Sequence, residues 1–138
     1  MVYLDKEKTK KLIEHAQKES PNEACGLLAG LAKADEKARF EVKKIYEMTN
    51  TNKSATRFFM DPAEQLKVLK DIRSLGLQMV GIYHSHPHSK AYPSAHDVEM
   101  AFYPDVSYVI VSLEDKKNPR LKSFRIAEGK ITEEVINS

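Results

Sequence analysis

The chain predicts a mixed α/β fold, a mixed β-sheet flanked by helices. Three observations carry this. Short apolar or alternating runs, read as strands, outnumber the helical stretches. Two longer segments, residues 5–19 and 62–75, have helical composition and flanking stop signals. Two nearly continuous apolar runs, residues 77–85 and 107–113, have the character of buried strands.

The elements follow in order. Residues 5–19 place Leu12, Ile13 and Ala16 on one side of an amphipathic helix, which leaves His15 exposed. Ser20-Pro21-Asn22 is a stop and turn signal. Residues 23–30, small and apolar after Glu23, fit a buried strand, and residues 31–37 a charged hairpin loop. Residues 39–48 alternate well enough for a strand with one irregularity, 49–54 form a polar loop and 57–60 a brief strand. Asp61-Pro62 sets an N-cap and a proline at the first helical position, and Gly76 ends that helix. After the strand over 77–85, Pro87 and Pro93 bracket a loop, and Ser94 starts a short helix to about residue 102. Residues 121–126 and 130–135 make a closing hairpin that turns at Glu128-Gly129.

The 138 residues suit one domain, residues 1–138. With 22 basic and 20 acidic residues the net charge is +2, too small an excess for a dedicated nucleic-acid binder. Cys25 is the one cysteine, which excludes an intramolecular disulfide and a multi-cysteine zinc site. It reads as a small buried residue. No run has signal-peptide or membrane-spanning character, so no membrane partner is expected and a cytoplasmic location follows by default.

The chemistry concentrates in two segments, residues 81–87 and 94–97. Side chains two apart on a strand share a face, so His84 and His86 present two imidazoles together while Ser85 faces away. Pro87 ends the strand, which leaves the pair at a terminus where a pocket can open. Asp97, in the first turn of the next helix, can return over that terminus. Two histidines and a carboxylate are a three-ligand set for a catalytic zinc, with the fourth position open. Such a site also requires a proton carrier and an oxyanion donor. Ser94 is near the metal by its place in sequence. Glu23 is the best candidate carrier, although a plain salt bridge explains it equally well. Ser94 to Asp97 also fits a capping box, with capping by one Asp97 oxygen leaving the other for the metal. His96 projects about 100° away from Asp97 on a helix of ~3.6 residues per turn and is a minor candidate, while His88 suits the cleft rim. Phe58, Phe59 and Tyr92 read first as core.

The combined pattern resembles the JAMM metalloproteases, the MPN-plus domain. Their signature is an upstream glutamate, then His-x-His, seven residues, serine, two residues and aspartate. Here His84-Ser85-His86 is followed by residues 87–93, then Ser94 and Asp97, with Glu23 heading the upstream strand. The resemblance implies a JAMM/MPN, cytidine-deaminase-like architecture. It implies Zn2+, one per chain, on His84, His86 and Asp97, with Glu23 as general base and acid and Ser94 as oxyanion donor. It further implies cleavage of a peptide or isopeptide bond after the C-terminal Gly-Gly of a ubiquitin-like or sulfur-carrier protein. The alternative is a zinc-containing scaffold domain without turnover. A homodimer is left open. Residues 57–60 are the candidate strand edge for pairing with an extended tail.

Overall fold

The computed structural model describes residues 1–35 and 38–138. Eight strands and three helices form one mixed sheet with helical elements on both faces. The helices are α1 (Lys6–Glu19), α2 (Pro62–Ser74) and α3 (Ala95–Glu99). The strands are β1 (Val2–Tyr3), β2 (Cys25–Asp35), β3 (Ala38–Met48), β4 (Gln78–His86), β5 (Ser107–Ser112), β6 (Arg120–Ala127), β7 (Lys130–Glu134) and β8 (Ile136–Asn137). Their order across the sheet is β7-β6-β5-β4-β2-β3-β1-β8. β4 and β5 run parallel, as do β1 with β3 and β1 with β8; the other neighbours are antiparallel.

Local chemistry accounts for the helix ends. The Asp5 side chain accepts the Lys8 amide at 2.8 Å, and the Asp61 side chain accepts that of Glu64 at 3.0 Å ahead of Pro62. Alternation along the central strands then feeds two cores. One gathers Leu28, Val80, Tyr83, Val109 and Val111 beneath Leu12 and Ala16 of α1. The other gathers Cys25, Leu27, Ile82, Ile110 and Phe124, with Val68 of α2 and Val98 of α3 packed against it. His84 and His86 continue the Ile82 side of β4, toward α2 and α3.

Several expectations are corrected. The strand over 23–30 starts later and continues to Asp35, so much of the anticipated charged loop is a β2–β3 arm; residues 36–37 lie outside the described residues. Leu31, Ala32 and Lys33 of this arm are exposed, and Leu31 and Ala32 pair with Glu41 and Phe40. The β3 irregularity is a bulge at Lys43, since Ala29 pairs with Lys44 and Gly30 with Val42. Residues 57–60 form no strand beyond an isolated Asn50–Met60 bridge. The Asn50 side chain captures the groups a ladder would use, donating to the Arg57 carbonyl at 3.0 Å and accepting the Phe59 amide at 3.2 Å. α3 ends at Glu99, ahead of Pro104, rather than near 102. His15 is buried, its Nδ1 2.8 Å from the Tyr83 hydroxyl and its Nε2 3.7 Å from both Glu19 and Glu47. β1 and β8 were not anticipated. No helix among the described residues is long and apolar enough to cross a membrane.

Candidate metal centre and active site

The site lies at the carboxyl ends of the parallel strands β4 and β5, where crossover connections leave a crevice. His84 and His86 end β4, and Ser112 of β5 pairs with His86. Ser94 caps α3, and its hydroxyl accepts the Asp97 amide at 3.1 Å. This capping turn brings the Asp97 carboxylate over the two imidazoles.

Three atoms converge. His84 Nε2 and His86 Nε2 lie 3.0 Å apart, and Asp97 Oδ2 lies 3.1 and 3.0 Å from them, respectively. All three residues are at least nine-tenths buried. His86 Nδ1 donates to the Lys90 carbonyl at 2.8 Å, so the neutral ring offers its lone pair at Nε2. Two imidazole nitrogens and a carboxylate oxygen at this spacing leave no room for a proton on every contact. Their mutual repulsion is best relieved by a cation. The cluster fits a three-ligand metal site of the kind zinc occupies, and among the described residues it is the one group whose ligand atoms converge in this way.

The titrations reflect the same crowding. Burial pushes the His84 imidazole below its ordinary range, against the opposing pull of Asp97. Burial also works against His86⁺, but the Asp97 hydrogen bond and the Lys90 carbonyl outweigh it and raise its pKa. Asp97 is held well below the usual carboxylate range; burial opposes this, and hydrogen bonds from both histidines and the Ser94 amide overcome it. The Ser94 amide, at 2.9 Å, and both histidines meet the same oxygen, Oδ2. The cap and the imidazoles thus converge on one Asp97 oxygen, where the sequence suggested one oxygen for the cap and the other for a metal.

Glu23 is buried at 3% exposure, and its Oε1 has no hydrogen-bond partner. Burial raises its pKa to about 8; the His86 charge lowers it and the Asp97 charge raises it further. It is thus within electrostatic reach of the cluster. Its main chain is held on both sides. The Glu23 amide donates to the Ser54 carbonyl at 2.8 Å, and its carbonyl accepts the Asn50 amide nitrogen at 3.0 Å. The next amide, on Ala24, donates to Ser85 Oγ at 2.7 Å. A buried carboxyl with its Oε1 unpartnered, on a pinned backbone, is not the arrangement of a structural ion pair.

Four supports of the site were not expected from the sequence: Ser85, Asn50, Phe58 and the Lys90 carbonyl. Ser85 faces away from the histidines, as strand alternation requires, but there it fixes the start of β2. Asn50 ties the 51–59 loop to Glu23. Phe58 of that loop stacks on His84, ring centroids 4.8 Å apart and 27° between planes. An asparagine followed by a polar loop was the available signal for Asn50. The Lys90 carbonyl has none, because any residue supplies one. Ser85→Ala leaves the buried Ala24 amide without a partner, an expected cost of about 1–3 kcal/mol in urea denaturation.

His88 is exposed and His96 is half-buried with Nδ1 3.9 Å from Glu99; neither joins the ligand cluster. Tyr92 packs edge-on against Phe124 at 5.5 Å. Beside the cluster, a cavity of about 210 Å³ is walled by Phe58, Phe59, Met100, Phe102 and Tyr103 and reaches His84 and Asp97.

A convergent ligand set at a strand terminus, beside a buried carboxylate and an apolar cavity, is the layout of a metallohydrolase. The family described as prokaryotic homologs of the JAB domain matches residues 5–127. The chain belongs to this family and is a JAMM-type hydrolase. It is 41% identical over 126 residues to the CysO-cysteine peptidase of Mycobacterium tuberculosis H37Rv, covering 91% of this chain and 83% of that one. It is 39% identical over 100 residues to the desampylase of Haloferax volcanii, covering 72% and 68%. The solution structure of DSY2949 from Desulfitobacterium hafniense superposes with a TM-score of 0.88 at 43% identity, covering 99% of this chain and 91% of that one.

Proposed function

We propose that this chain is a zinc-dependent hydrolase that cleaves the peptide or isopeptide bond after the C-terminal Gly-Gly of a sulfur-carrier or ubiquitin-like protein. The observation that carries this reading is the convergence of His84, His86 and Asp97 near the buried Glu23, whose Oε1 has no hydrogen-bond partner. The relatives, a CysO-cysteine peptidase and a desampylase, supply the substrate class.

In this reading His84, His86 and Asp97 would hold the metal. Zinc held there would supply a Lewis acid and would lower the pKa of water from ~15.7 toward ~7. A divalent cation nearby favours the ionised form of Glu23, which burial alone disfavours. Glu23 accepts a proton from the attacking water and returns it to the leaving nitrogen as the C–N bond breaks. The Ser94 oxygen accepts the Asp97 amide, so its own O–H is available to donate to the carbonyl oxygen as negative charge develops there. The aromatic wall lowers the local dielectric, which strengthens each of these interactions.

The test is to incubate zinc-loaded and chelator-treated protein with a panel of Gly-Gly-tailed conjugates and unrelated peptides. Release of the group attached to the tail, only from the tailed conjugates and only with metal, is expected. Cleavage of unrelated peptides at equal speed overturns the Gly-Gly assignment; no cleavage of any conjugate favours the scaffold alternative.

Ser94 carries a separable prediction. Ser94→Ala is expected to lower kcat by about 10²–10³-fold and to cost about 1 kcal/mol through the lost cap. Ser94→Gly restores the cap to within a few tenths of a kcal/mol but loses the same activity. Recovery of kcat alongside stability would assign Ser94 to capping alone.

A further inference from the structure

A second depression, open and about 860 Å³, begins one hydrogen bond from the metal cluster. The Lys90 carbonyl that accepts His86 Nδ1 belongs to its wall, and Ser112 ties its floor to the same loop by donating to the Ser89 carbonyl at 2.6 Å. Lys90, Lys116, Lys117, Arg120 and Lys122 line it, against only Glu114 and Asp115. All seven are exposed.

The two acids offset the cations only in part, with Asp115 feeling a weak pull from Arg120. Asp115 is occupied locally, accepting the Lys117 amide and the Asn118 side-chain amide, both at 3.1 Å. Lys122 has a distant partner, Glu133, at 3.8 Å. Among the described residues, Lys90, Lys116 and Lys117 enter no ion pair. Five cations against two acids exceed the surplus of the whole chain, whose net charge is +2. The remaining surface is slightly acidic, so the positive field is concentrated beside the active site.

Resting on the hydrolase reading above, we infer that this groove docks an acidic face of the folded protein that carries the Gly-Gly tail. Two extended glycines span only about 7 Å, so the folded body of the carrier must sit on the rim of the cleft. The cations supply complementary charge at that rim, where it governs encounter and orientation more than bond breaking. A nucleic acid fits less well: Tyr92 is the single aromatic side chain lining the groove, whereas single-stranded nucleic acids are held by several stacking rings.

The test uses two folded Gly-Gly-tailed carriers of similar size, one of net negative and one of net positive charge, each joined through its tail to cysteine. The free tail peptide bearing the same cysteine is the third probe. Binding is followed by fluorescence anisotropy and cleavage by separate kinetics on the zinc-loaded protein. The acidic carrier is expected to bind more tightly, and less so from 50 to 500 mM salt. Lys116→Glu combined with Lys117→Glu should weaken it by about tenfold, raise KM to match and leave kcat and the peptide's KM unchanged. Equal binding of the acidic carrier by wild type and variant overturns the inference. So does an oligonucleotide that binds more tightly than the carrier and is lost in the variant. Binding that responds as expected without cleavage keeps the docking surface and removes the hydrolase reading.

Discussion

Glu23→Gln is expected to leave metal content at about one ion per chain while cutting turnover by about 10²–10⁴-fold, the usual contribution of a positioned proton carrier. Metal analysis and single-turnover cleavage check the two halves separately. Full activity in this variant would remove Glu23 from the mechanism. Loss of metal would make it a ligand or a structural residue instead. A second signature appears in the metal-free protein. There, burial raises the Glu23 pKa from 4.5 to about 8. Between those values the folded chain binds a proton that the unfolded chain has released. Its stabilising contribution is therefore complete below pH 4.5 and is lost as pH rises toward 8. Wild type should lose stability against Glu23→Gln across that window, with a limiting slope of about 1.4 kcal/mol per pH unit. Parallel denaturation curves of the two metal-free proteins over pH 5 to 8 measure the difference. A constant offset would mean that Glu23 titrates normally.

Asp97→Asn is expected to abolish metal binding and, with it, activity. A single oxygen, Oδ2, accepts the Ser94 amide and faces both histidines. Asparagine can keep the capping contact through its carbonyl oxygen but cannot carry the charge. The fall in metal affinity should exceed the ~10–100-fold typical of losing a group behind the ligands. Zinc titration against a competing chelator measures it. Retention of wild-type affinity would exclude Asp97 as a ligand. In the metal-free chain the sign opposes that of Glu23. The Asp97 pKa is depressed, so its carboxylate adds stability above its ordinary value of 3.8, which is lost as pH falls below it. The variant should melt below wild type at neutral pH, with the gap narrowing in acid.

These two carboxylates differ in how far sequence reasoning reaches. Asp97 stands three residues after a helix-capping serine, in a segment whose loop and turn are both local. Its spacing places it near the histidines before any packing is known. Glu23 is 61 residues from His84, and nothing local aims it at the cluster. In the residues alone a salt bridge explained it equally well, and the family pattern supplied its role. The antiparallel pairing of β2 with β4, which sets Cys25 opposite His84, brings the start of β2 to the metal cluster. Non-local strand pairing of this kind has no periodicity to betray it.

His15 and residues 57–60 depart from their local sequence for the same reason. His15 lies on a polar helix and reads as exposed. It is buried because its imidazole meets the Tyr83 hydroxyl, across 68 residues of chain. Residues 57–60 have strand-forming side chains, but the Asn50 amide takes the backbone groups that a neighbouring strand would need.

Strand alternation and local spacing sufficed for the mixed α/β class, the capped helices, the paired histidines and the aspartate beyond them, because periodicity and turn chemistry act within a few residues. The burial and lone oxygen of Glu23, the sharing of one Asp97 oxygen, the support from Ser85 and Asn50, and the gathering of five cations into one groove depended on the packed sheet. These arise from contacts between segments far apart in the chain, such as Lys90 meeting the local 116–122 cations across the groove, where the order of the strands determines which groups meet.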